Sequence, residues 1–199
     1  MDINSILEDN YLKEKIIINL IWANIFGIIV FMFTCIIFGI PYILLWYNKG
    51  NFTFFTFSFF ENNILNNIFF VFIFLLGIFL HEFIHGIFFA KYSKNKFKSI
   101  KYGILPKEKL FTPYCHCMEI LEINHYRVAI IMPTIILGII PVIISFVIGN
   151  FSLLTLGLIF ITVGCGDILM LLKLIKEKKD ILIYDLPDDA GFIIYRLKK

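Results

Sequence analysis

Four stretches of the chain are apolar almost without interruption: residues 16–38, 64–90, 128–148 and 151–172. Each is long enough to cross about 30 Å of hydrocarbon as a helix. The first and third contain no charged residue. The first stays apolar past Gly39-Ile40-Pro41 to Trp46, more than one span needs, so Pro41 is expected to end or kink the helix there. Between the second and third stretches the pattern changes period. Ser99–Ile104 and Glu119–Ile123 read as short strands, with Pro106 and Pro113 marking turns between them. After the fourth stretch, Ile181-Leu182-Ile183-Tyr184 and Phe192-Ile193-Ile194-Tyr195 flank the turn signal Asp185-Leu186-Pro187-Asp188-Asp189, which predicts a hairpin. The expected fold is an all-α membrane protein, a single four-transmembrane-helix bundle with a small β-like cytoplasmic loop and a C-terminal hairpin capping its inner mouth.

Composition supports the membrane reading. Hydrophobic residues make up 59% of the 199 residues and charged ones 17%, and the mean hydropathy is +0.86, well above that of ordinary soluble domains. The first apolar run is longer than a signal-peptide core and follows a segment of mixed charge, so it reads as an uncleaved anchor.

Lysine and arginine set the orientation. With the N-terminus in the cytoplasm, 17 of the 18 cations fall on the inner side and Lys49 alone lies outside. Both termini are therefore expected in the cytoplasm. The net charge of +3 comes from these inner clusters and fits attraction to anionic headgroups of the bilayer. Nucleic acid is not an expected partner. The aromatic run Phe52–Phe60 reads as interfacial filler.

The chemistry lies in the second stretch, which contains His81-Glu82-Phe83-Ile84-His85, an H-E-x-x-H pattern. On a helix, residues four apart share a face, so His81 and His85 can offer two imidazoles to one metal ion, while Glu82 reaches a water on that ion. Ionisable side chains at membrane depth cost roughly 2.5–3.5 kcal/mol each for the charged types. A bound metal would offset that cost.

A catalytic zinc site commonly has three protein ligands. Asp167, in Gly164-Cys165-Gly166-Asp167-Ile168, is the only charged residue of the fourth stretch before Lys173. His85 and Asp167 each precede the first cytoplasmic lysine by six residues, which puts both about 9 Å from the inner boundary at 1.5 Å per residue. Gly157, Gly164 and Asp167 share a helical face, as do Gly77, His81 and His85, so small residues are expected to bring the two backbones together. The competing reading of Asp167 is a structural polar residue. Cys115-His116-Cys117 lacks the C-x-x-C pairs of structural zinc sites and reads as an ordinary loop with free thiols. His116, Glu119 or Glu122 remains an alternative third ligand or an outer partner, and Cys35 and Cys165 read as buried apolar-like residues.

The chain resembles the bacterial membrane proteins described as putative zincin peptidases, a family related in layout to the site-2 protease class of intramembrane metalloproteases. The likeness rests on HEFIHG (His81–Gly86), TPYCHCMEILEINHYRVAIIMP (Thr112–Pro133), GCGDI (Gly164–Ile168) and DLPDDAGF (Asp185–Phe192). It implies that His81 and His85 are zinc ligands, that Glu82 is the catalytic acid/base and that Asp167 is the third ligand. Site-2 proteases usually set this aspartate ahead of a glycine in a proline-containing motif, whereas here glycine precedes Asp167 and no proline is near.

The expected function is zinc-dependent endoproteolysis of a membrane-associated or transmembrane polypeptide near the cytoplasmic side of the bilayer. The alternatives are a non-hydrolytic metal-binding or ion-conducting membrane protein and a catalytically idle scaffold.

Overall fold

The computed structural model describes residues 10–47, 62–107, 110–187 and 189–198. The aromatic run at 52–60, Lys49 and the Asp188 position of the tail turn lie outside them. Strand β1 (Tyr11–Ile17) leads into α1 (Leu20–Thr34), a π-helical turn (Cys35–Gly39) and α2 (Ile40–Trp46). Helix α3 (Asn63–Tyr92) is followed by a 3-10 turn (Lys96–Ser99), β2 (Ile100–Lys107), β3 (Leu110–Cys117) and β4 (Leu121–Glu122). Then come α4 (Ile123–Pro133), a second π-helical turn (Thr134–Ile139), α5 (Ile140–Ile148), α6 (Phe151–Val163), α7 (Cys165–Leu174), β5 (Leu182–Asp185) and β6 (Gly191–Leu197).

Among the described residues, three helical runs are long and apolar enough to cross a membrane: Ile21–Trp46, Ile64–Tyr92 and Ile123–Ile148. The pair α6 and α7, bent by 50° at its break, is a fourth if it counts as one span. Large apolar side chains such as Trp22, Met32, Leu44, Phe72, Phe79 and Val147 are exposed along these helices, a surface suited to lipid rather than water.

The first span begins later than its apolar run. Ile16 and Ile17 complete β1, and the Asn19 carboxamide accepts the backbone N–H groups of Ile21 and Trp22 at 2.9 and 3.2 Å, an N-cap that starts α1 at Leu20. Pro41 does not end the helix. The Ile40 N–H reaches back five residues to the Cys35 carbonyl, and this widened turn makes room for the proline ring and its missing donor. The same device recurs ahead of Pro141, where the Ile140 N–H bonds the Ile135 carbonyl.

The all-α expectation needs correction, because six strands among the described residues form two sheets. One is four-stranded and antiparallel, in the order β1-β6-β5-β4, with Lys13 opposite Tyr195, Ile183 opposite Ile194 and Leu121 opposite Ile183. The hairpin read in the tail is its centre. The other is the β2–β3 ribbon. Pro106 and Pro113 lie inside its strands, opposite Phe111 and Ile104, instead of at turns. Each strand of a two-stranded ribbon has an outer edge where a missing N–H breaks no ladder bond. The fragment at 119–123 contributes β4, which pairs with the tail strand β5 and not with β2.

The chain groups into two compact units. One comprises residues 1–23, 82–132 and 166–199, and the other 24–81 and 133–165. In the first, Phe89, Tyr126, Ala129, Ile130, Leu174, Ile183, Phe192 and Ile194 form a core between sheet and helices. In the second, Tyr42, Val142, Leu154, Leu158 and Ile161 pack together. Gly157 lies against the Gly138 carbonyl and Val142, and Gly77 takes the Phe160 ring. The glycines therefore do not draw the α3 and α6 backbones together as expected. Gly157 serves contact with the third span, and Gly77 accommodates a side chain.

Candidate metal centre

Helix α3 runs unbroken through His81, Glu82, His85 and Gly86, which puts the two histidines one turn apart on a common face. Both are buried, His81 at 4% and His85 at 6% exposure. The His85 Nδ1 lies 3.0 Å from the Ala129 carbonyl of α4. A carbonyl oxygen only accepts, so Nδ1 carries a proton and donates it, which leaves Nε2 on the opposite edge of the ring as the ligand atom of the neutral imidazole. That Nε2 lies 3.4 Å from Asp167 Oδ1. A proton on Nε2 or a metal ion between the two atoms satisfies this contact. The spacing exceeds the 2.7–3.2 Å range of an ordinary N–H···O bond, and it equals the edge of a tetrahedron whose bonds to a central ion are about 2.1 Å.

Asp167 reaches this position because the fourth apolar stretch is broken. Helix α6 stops at Gly164, whose N–H still bonds the Phe160 carbonyl. The chain then restarts as α7 with Asp167 in the first turn, where a helix N-terminus favours negative charge. A Cβ at Gly164 would lie 2.1 Å from the Thr134 hydroxyl oxygen, so only glycine fits at the break. The straight fourth helix expected from the apolar run, with Gly164 and Asp167 on one continuous face, is thus corrected to two helices.

Ligand atoms of His81, His85 and Asp167 all lie within 4.8 Å of one another. Among the described residues no other histidine, cysteine or carboxylate group forms such a cluster. The donor set fits zinc: two imidazoles and one carboxylate, one imidazole held by an outer hydrogen bond from its second nitrogen.

The remaining candidates have other roles. His116 is buried in β3, and its Nδ1 lies 3.2 Å from Asp185 Oδ2. The same oxygen accepts the Cys117 N–H at 3.2 Å, and Asp185 Oδ1 accepts the Tyr126 hydroxyl at 2.8 Å. Glu119 accepts the N–H groups of Lys94 and Asn95, the Asn95 side-chain amide and the Ser99 hydroxyl. These four donors fasten the loop after α3. Glu122 is exposed beside His125, 3.8 Å away. Cys115-His116-Cys117 belongs to a strand, and burial, then the charges of Glu82 and Asp185, push the Cys115 thiol well above its ordinary pKa.

Two parts of this arrangement escaped the sequence reading. The Ala129 carbonyl that orients His85 has no side-chain signature. Asp185 read only as the start of the tail's turn signal, with nothing local to announce its three partners.

No curated protein and no solved structure matches the chain. The family model described as "Putative zincin peptidase" matches residues 74–182, from the helix that carries both histidines through Asp167 to the first residue of β5. The chain belongs to that zincin peptidase family.

Proposed function

We propose that the protein is a zinc-dependent, membrane-embedded endopeptidase of site-2 protease type, working as one functional unit. In this reading it cleaves membrane-associated or transmembrane polypeptides near the cytoplasmic face, with both termini in the cytoplasm of a bacterial plasma membrane. The observation that carries this reading is the convergence of His81, His85 and Asp167 on the helix that also bears Glu82. His81 through one ring nitrogen, His85 through Nε2 and Asp167 through a carboxylate oxygen would hold the metal. A zinc ion there would supply Lewis acidity, making water a nucleophile near neutral pH and polarising a carbonyl.

The protein's own groups do the rest. The Ala129 carbonyl fixes the His85 tautomer and ring plane. Glu82 adjoins His81 in sequence and does not belong to the ligand cluster; in this reading its carboxylate takes a proton from the attacking water and delivers it to the departing amine. Helix hydrogen bonds shield a substrate's peptide bonds, so the cleaved segment must unwind before it enters.

A metal-binding or ion-conducting protein without hydrolysis uses the same three ligands but gives Glu82 no chemical task. The test is metal analysis of purified protein with single substitutions. His81→Ala and Asp167→Asn should lose zinc and cleavage together, whereas Glu82→Gln should lose cleavage and keep zinc. Full cleavage by Glu82→Gln removes it from the mechanism, and zinc retained by Asp167→Asn removes the third ligand.

A further inference from the structure

Gly86 follows the second histidine directly, inside a helix where glycine costs roughly 1 kcal/mol relative to alanine. The structure shows what occupies the missing side chain's space. A Cβ at Gly86 would lie 1.8 Å from the Tyr102 hydroxyl oxygen and 2.6 Å from the ring carbon that bears it. The phenol of β2 is therefore seated on the backbone of α3, four residues after Glu82, on the face that these two positions share.

Tyr102 is held there by its strand. It pairs with Cys115 across the ribbon, and Glu82 is close enough for its charge to act on both side chains. The ring is half-exposed, at 48%. Among the described residues no donor or acceptor partners its hydroxyl. A phenol delivered to the flank of a metal helix, with its O–H unused and one side open, is placed to meet a bound molecule.

We propose that Tyr102 is a catalytic residue, donating its O–H to the oxygen of the scissile carbonyl as that oxygen gains negative charge. This rests on the peptidase reading above. In the step concerned, the water oxygen bonds to the carbonyl carbon and its proton passes to Glu82. The carbonyl π pair moves onto the oxygen, where the Tyr102 O–H stabilises it. The C–N bond then breaks and the amine leaves with the proton from Glu82. Tyr102 keeps its own proton throughout. Burial first, then the nearby Cys115 and Glu82, push its pKa up to about 12, so the phenol stays a donor at neutral pH. Gly86 is explained by the same geometry, since any side chain there would evict the hydroxyl.

The test uses full-length, zinc-loaded protein in detergent and compares wild type, Tyr102→Phe and Gly86→Ala. Zinc content is measured for each, with affinity for a phosphinic peptide, a tetrahedral oxyanion mimic, by calorimetry, and kcat and KM on dye-quenched casein. Tyr102→Phe keeps the ring and should keep stoichiometric zinc. It should bind the phosphinic peptide roughly 10- to 100-fold more weakly, because the mimic loses one charge-assisted hydrogen bond. It should lower kcat by about 100-fold or more at nearly constant KM, the usual cost of one oxyanion donor. Gly86→Ala should reproduce both losses by displacing the phenol. Equal phosphinic affinity in wild type and Tyr102→Phe, or no binding to either, overturns the role of Tyr102. Affinity that depends on Tyr102 in a wild type that hydrolyses nothing supports the phenol's placement and overturns the peptidase reading instead.

Discussion

His85 and His116 are both buried and each faces an aspartate, at 3.4 and 3.2 Å, yet their surroundings assign them to different tasks. His85 spends its Nδ1 proton on a backbone carbonyl and turns Nε2 toward Asp167, with a second imidazole one turn away. His116 meets its carboxylate through Nδ1, and that carboxylate already accepts a tyrosine hydroxyl and a backbone N–H. Asp185 is a hub joining β3, α4 and β5 through three accepted hydrogen bonds. Proximity of imidazole to carboxylate therefore does not define a metal centre. The direction of the lone pair and the presence of a third donor do.

The largest effect should come from the residue that distinguishes the two sites chemically. Glu82→Gln keeps side-chain volume and the ligand set but removes the proton acceptor. Cleavage should fall by about 10²- to 10⁴-fold while zinc stays at wild-type stoichiometry, read by kinetics and metal analysis on one preparation. No residue beside His116 corresponds to Glu82, so His116→Ala should leave that chemistry in place once the protein is folded.

Metal affinity breaks the comparison next. His85→Ala and Asp167→Asn each delete a ligand, and zinc affinity should fall by more than the 10- to 100-fold that loss of an outer-shell partner costs. His116→Ala and Asp185→Asn should hold zinc as wild type does. A competition titration with a chromophoric chelator decides it, and zinc loss in the His116 variant would mean that the two sites are one.

The third effect is on stability and reverses the ranking. Asp185 serves three donors from two elements, β3 and α4, so Asp185→Ala leaves buried groups without an acceptor at about 1–3 kcal/mol for each such group. Thermal unfolding in detergent should show Asp185→Ala well below wild type. Asp167→Asn, compared with zinc-free wild type, should be nearly neutral, because neither protein then has an ion to lose.

The sequence made one of these sites legible and hid the other for a physical reason. H-E-x-x-H is a local pattern whose spacing alone implies a shared helical face, and a lone carboxylate in an apolar stretch draws notice by its desolvation cost. The Asp185 network joins residues 59 to 69 positions apart, and each of its members is common in soluble loops, so no spacing announces it. The same distinction runs through the fold. Apolar length located the membrane helices, and the tail hairpin was visible from alternation and turn residues. The capture of β1 by β6, the π-helical turns before Pro41 and Pro141 and the break at Gly164 depend on partners distant in the chain.

A third pairing extends the comparison to the surface, where the smallest effect is expected. The Arg196 guanidinium grips Glu177 at 2.6 Å through Nη2 and also bonds Glu14, tying β6 and β1 to the segment after α7. Hydrogen bonding from Arg196 comes first, and burial opposes it, but the Glu177 carboxyl is held below its ordinary pKa. A carboxylate whose folded pKa is depressed contributes stability above its unfolded value near 4.5. That contribution is lost as the pH falls through the lower, folded pKa. Solvent reaches this pair, with Arg196 35% and Glu177 22% exposed, so screening holds its worth to about 1 kcal/mol or less. Glu177→Gln should therefore lower the unfolding temperature slightly at pH 7, and the gap to wild type should close on acidification below pH 4.5. Raised salt should also narrow it, whereas the deficit of Asp185→Ala, buried and hydrogen-bonded, should persist in salt. Equal salt sensitivity of the two deficits would place Asp185 in the same solvent-screened class as Glu177 and end its distinction from a surface pair.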